Sequence, residues 1–117
     1  MQINDKLIKT IVESGTGYIR FGDGTQVCYG SATPSAVPNN NVCTGSGTFA
    51  KSFITTPTVI AGLSGTLSNA SNELTINVKI SGITTTNFSF SEQSSSGAFG
   101  TEARRLTVQY IAIGKWK

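Results

Sequence analysis

The chain carries six carboxylates (Asp5, Glu13, Asp23, Glu73, Glu92 and Glu102), two cysteines and no histidine. Without histidine there is no Ser-His-Asp or Cys-His nucleophile, no imidazole acid or base, and no ordinary zinc set. Cys28 and Cys43 alone cannot close a structural zinc site. One catalytic device survives, a carboxylate pair of the glycosidase kind, and that pair has to be rigid and enclosed. Asp23 already has a turn to hold, Glu73 sits on a polar strand face, and Glu92 and Glu102 bracket a loop as surface charges do. We therefore expect no enzyme, no metal and no cofactor.

Non-covalent recognition asks for less. Amides, guanidinium groups and an aromatic ring, presented on loops by a rigid scaffold, can hold a sugar at small entropic cost. Two loops offer that set: Ser31–Gly47 with Asn39, Asn40 and Asn41, and Ser91–Arg105 with Phe99, Arg104 and Arg105. Each candidate also has a plainer reading. The three Asn are good turn formers, Phe99 can anchor its own loop, and Arg104 and Arg105 can solvate a strand start. Trp116, between Lys115 and Lys117, suits a packing plug better than a sugar platform.

The elements that would position these loops are strands. Tyr18–Phe21 and Thr25–Tyr29 read as a hairpin hinged at Gly22-Asp23-Gly24, where Gly supplies positive φ and Asp tolerates the tight turn. Thr58–Leu63 has the continuous apolar run of a strand buried on both sides. Glu73–Ile80 alternates Leu74, Ile76, Val78 and Ile80 with polar residues, and Thr84–Ser91 points Phe88 and Phe90 inward. The last strand puts Leu106, Val108, Tyr110 and Ala112 on one face, with Thr107, Gln109, Ile111 and Ile113 on the other. Its second face turns apolar towards the end, which predicts a second buried surface. Prolines, three consecutive Asn and a Gly-Ser close make Ser31–Gly47 a loop by local criteria. The prediction is an all-β antiparallel sandwich of six or seven strands over residues 11–117. Residues 1–10 precede it as a lead-in, a short helical turn or the end of a stem.

Composition sets further bounds. At 117 residues there is room for one domain with a modest core. Charged residues are only 13%, about half the usual share, which leaves a monomer short of solubilising charge and favours an oligomer. The net charge of +3 is scattered, with no basic stripe for nucleic acid. No apolar run approaches the ~18 residues of a membrane span, and no signal peptide is visible. That fits a product made in the cytosol and released by lysis, and equally a fragment of a longer protein. In a reducing cytosol the two cysteines would stay thiols; joined, they would close a loop of about 15 residues. Asn69-Ala70-Ser71 and Asn87-Phe88-Ser89 match the glycosylation acceptor pattern without a secretion signal to give it meaning.

Two stretches carry a resemblance: IVESGTGYIRFGDGTQVCYG (Ile11–Gly30) and RRLTVQYIAIGKWK (Arg104–Lys117). They resemble the small β-sandwich at the C-terminal tip of bacteriophage tail fibres. FITTPTVIAGLSG (Phe53–Gly65) and ISGITTTNFSF (Ile80–Phe90) are similar to segments of the H-type lectin domain. The resemblance implies a homotrimeric fibre tip on the virion, joined to an upstream shaft. Its partner would be a bacterial surface polysaccharide or an outer-membrane protein, bound without nucleic acid or membrane insertion. A structural trimerisation cap is the other role such a tip can have. The lectin family's strand Arg falls at Thr75 here, and its loop Trp and His fall within Ser94–Ser96. The N-acetylgalactosamine site of that family is therefore not expected to carry over.

Overall fold

The computed structural model describes residues 10–64, 76–95 and 106–117. Among these residues nine strands run in chain order: β1 (Ile11–Gly15), β2 (Tyr18–Phe21), β3 (Thr25–Ala32), β4 (Ala36–Asn39), β5 (Val42–Thr48), β6 (Thr58–Ser64), β7 (Ile76–Ser81), β8 (Asn87–Ser94) and β9 (Thr107–Lys115). They form two antiparallel sheets, of order β1-β2-β3-β9-β6 and β4-β5-β8-β7. The described residues contain no helix. The all-β sandwich stands, with more strands than the six or seven expected.

The β2–β3 hairpin forms where the sequence places it. Gly24 takes φ of 96°, and Asp23 Oδ1 accepts the Thr25 amide at 2.9 Å, closing the turn. β9 then pairs along its length with β3 on one side and β6 on the other, as in Cys28↔Ala112 and Val59↔Ala112. Its even-numbered residues Val108, Tyr110 and Ala112 are buried, whereas Ile111 and Ile113 point away from the core.

Three expectations need correcting. Ser31–Gly47 is not a loop: it contains the end of β3, all of β4 and most of β5. Pro38 is tolerated because β4 is an edge strand, where a missing N–H breaks no ladder bond. Gly45 and Gly47 belong to β5 because the Phe90 and Phe88 rings lie across them, where a Cβ would stand. Thr58–Leu63 is not buried on both sides: β6 is an edge strand, and Ile60 is 62% exposed. Thr84–Ser91 shifts forward, because Thr84 Oγ1 accepts the Thr86 and Asn87 amides in a turn and β8 begins only at Asn87. Residues Glu73–Thr75 and nearly all of the lead-in lie outside the described residues.

The core is aromatic. Phe49, Phe53, Phe88, Phe90 and Tyr110 are buried together, with Phe88 edge-on to Tyr110 at 4.8 Å and Phe49 edge-on to Phe53 at 5.2 Å. Burying each ring contributes roughly 2–3 kcal/mol. Tyr110 Oη donates to the Thr48 carbonyl at 3.2 Å, so the phenol enters the core without an orphaned hydroxyl. Cys28 and Cys43 are both fully buried, on strands of opposite sheets, and are reduced.

Candidate functional site

The pairings Val42↔Gln93 and Ile76↔Ser94 lie at one end of the four-stranded sheet, its apex. Asn39, Asn40 and Asn41 form the β4–β5 turn there. Asn39 Oδ1 accepts the Asn41 amide at 2.8 Å, and the Asn41 carbonyl accepts the Ser94 amide at 2.9 Å. Asn39 therefore works as a turn former, while all three residues remain exposed. Phe99, Arg104 and Arg105 lie outside the described residues. Before that segment, Ser95 follows Ser94, whose amide the Asn41 carbonyl accepts; after it, Leu106 immediately precedes β9.

Glu92 is not the surface charge its loop-flanking position suggests. β8 continues past Ser91 to Ser94, which turns Glu92 to the inner face between Cys43 and Val78, with no exposed surface. Burial pushes its carboxyl up to about 7; the nearby Leu106 amide and Cys43 thiol only partly offset this. Neither oxygen finds a full hydrogen bond among the described residues. Asp5, Glu73 and Glu102, the remaining acids besides Glu13 and Asp23, lie outside the described residues.

A second polar cluster occupies the inner face of β1 and β2. The register Glu13↔Arg20 and Arg20↔Gln26 aligns three side chains across three strands. Tyr18 Oη donates to Glu13 Oε2 at 2.7 Å, and this bond holds the Glu13 carboxyl below its usual range and the phenol above its own. Arg20 Nε donates to Gln26 Oε1 at 2.7 Å, and Arg20 Nη1 stands 3.4 Å from Glu13 Oε1. Gln26, fully buried, donates from Nε2 to the Lys51 and Ser52 carbonyls at 3.0 and 3.3 Å. The Arg20 guanidinium lies 4.9 Å from the Trp116 ring and 5.9 Å from the Tyr18 ring, and Lys51 Nζ lies 5.3 Å from Tyr18. Trp116 Nε1 donates to the Phe21 carbonyl at 3.0 Å, as a plug should. Sequence reasoning missed this cluster. Its only linear trace is the Y-I-R alternation in β2; Glu13, Lys51 and Trp116 join it through register and the path of the chain.

The two outer faces contrast sharply. On the four-stranded sheet the outward residues Asn77, Lys79, Ser89, Gln93 and Thr44 are polar, with Val42 an apolar one beside them. On the five-stranded sheet two rows cross the strands, Ile19–Val27–Ile113–Thr58 and Tyr29–Ile111–Ile60. Lys115 is the one charged side chain among the described outward positions of that face. A groove of about 510 Å³ runs beside the second row, over Gly62 and Gln109.

No curated protein matches the chain. The H-type lectin domain matches residues 45–113, from the middle of β5 to Ile113 in β9, well over half of the sequence. That span takes in β6, β7, β8 and most of β9, the strands that build the aromatic core. On this match and the antiparallel sandwich, the chain belongs to the H-type lectin domain family.

Proposed function

We propose that the protein is the receptor-binding tip of a phage tail fibre, a homotrimer that attaches to a glycan or protein on the bacterial surface through multivalent, non-covalent contacts. Membership of the lectin family supports carbohydrate binding. The hairpin and the last strand, which resemble fibre tips, support the phage setting, with an upstream shaft and a place on the virion. Weak individual sites gain avidity when several copies act together.

The observation that carries the oligomer is the outer face of the five-stranded sheet. Depletion of charge and an apolar centre mark the core of a protein interface. With strands about 4.8 Å apart and about 3.4 Å per residue, five strands of four to nine residues cover roughly 500 Å². That is somewhat over half of the ~800 Å² per partner of a standard stable interface. Two identical neighbours would cover Ile111, Ile113, Ile60 and Tyr29.

Solution mass tests the assembly: a trimer of about 37 kDa, three times 12.3 kDa, is expected. Glycan-array and host-adsorption measurements test recognition, and replacing Asn39, Asn40 and Asn41 by Ala should abolish it. The second reading, a structural cap that closes a fibre without recognising a receptor, is favoured by the use of Asn39 inside its own turn. Failure to bind susceptible cells at high micromolar trimer would select the cap.

A further inference from the structure

We infer that the shelf formed by Arg20, Lys51 and Tyr18, at the β1–β2 end of the five-stranded sheet, is a binding site for the carboxylate of an acidic sugar. Arg20 is fixed from behind. Its Nε is tied to Gln26, which is fully buried and itself held by two backbone carbonyls. A planar guanidinium held along one edge keeps its other edge as a fork for a carboxylate. The Arg20 side chain is still 18% exposed, and its Nη1 reaches towards Glu13 on the open side. Lys51 completes the site with an ammonium whose side chain is 44% exposed.

Both cations are underused. The anion now between them is Glu13, at 3.4 Å from Arg20 and 4.0 Å from Lys51. Charge-assisted bonds close to about 2.7–2.9 Å when geometry allows, and Glu13 is instead drawn to the Tyr18 hydroxyl. The flanking rings of Tyr18 and Trp116 keep water from the guanidinium, which strengthens its pull on an incoming charge. Lys117, 5.1 Å from the Trp116 ring, adds a further positive charge. Of these residues only Lys51 lies within the stretch matched by the lectin family. The inference rests on the carbohydrate-binding reading only in taking a saccharide as the bearer of the carboxylate.

Trp116 is the sole tryptophan, so its fluorescence reports on the shelf without labelling. The whole chain would be titrated with tetragalacturonate, with neutral galactotetraose and with inorganic phosphate. A saturable, salt-sensitive change is expected with tetragalacturonate alone. Arg20→Lys and Lys51→Ala should each weaken it at least tenfold. Lys51 is exposed and offers only its backbone carbonyl to Gln26, so its variant keeps the fold. Glu13→Gln retains the acceptor for Tyr18 but removes the competing charge, and should tighten binding severalfold. A clamp that merely fastened the hairpin would gain affinity in none of these variants. An equal response to galactotetraose or phosphate, or unchanged binding in both Lys51→Ala and Glu13→Gln, overturns the proposal. Array binding that depends on Asn39–Asn41 while Trp116 stays silent would refute the shelf and leave the apex standing. A Trp116 response without array binding would uphold the shelf and refute the apex.

Discussion

A carboxyl group sealed between Cys43 and Val78 keeps its proton well above the ordinary carboxylate range, and that ties the stability of the protein to pH. Glu92 titrates near 7 in the fold against about 4.5 in the unfolded chain. Between those values the native state binds more protons than the unfolded one, so stability falls as pH rises. The loss starts near pH 4.5, is complete just above 7, and amounts to a few kcal/mol at most. Chemical denaturation at pH 4.5 and 8 should register it, and Glu92→Gln should flatten the difference. The two thiols behave oppositely, because both are inert while buried. Thiol titration should find neither in the native protein and both after unfolding, and a reductant should leave the melting temperature unchanged.

At the scale of elements, β5 depends on what it lacks. The Phe88 ring fills the space a side chain at Gly47 would need, so Gly47→Ala should cost about 1–3 kcal/mol through overpacking. Equilibrium unfolding measures this. The same glycines explain why part of the sandwich was hidden in the sequence. The β2–β3 hairpin and β9 were legible because period-2 alternation and a Gly-Asp-Gly turn are local signals. β4 and β5 were not: Pro38, Gly45 and Gly47 read as loop formers, yet an edge strand tolerates the first and two phenylalanines require the others. Burial of Glu92 was equally illegible, because it follows from β8 running three residues beyond Ser91. Asn39–Asn41 was legible as a turn: it is one, it is exposed, and one of its three side-chain amides is spent on holding it. The shelf depended on cross-strand register and on residues as distant as Glu13 and Trp116, which no linear motif joins.

For the whole molecule, the unlike outer faces make a direct prediction. Ile111→Asp or Ile60→Asp places a carboxylate on the proposed seam without touching the core, since both side chains point outward. Each variant should run as a monomer on light scattering while keeping its β-sheet circular dichroism and its melting transition. Loss of the fold along with the assembly would mean that the sheet cannot stand without its neighbours. The order of strands has a consequence for how the protein is made. β9 is the interior strand that joins β6 to β3, yet both precede it in the chain. During synthesis β3 and β6 must wait, with open backbone edges, until β9 arrives. A ribosome stalled short of Thr107 would release a product whose β6 is cut off from its sheet, an aggregate rather than a smaller domain.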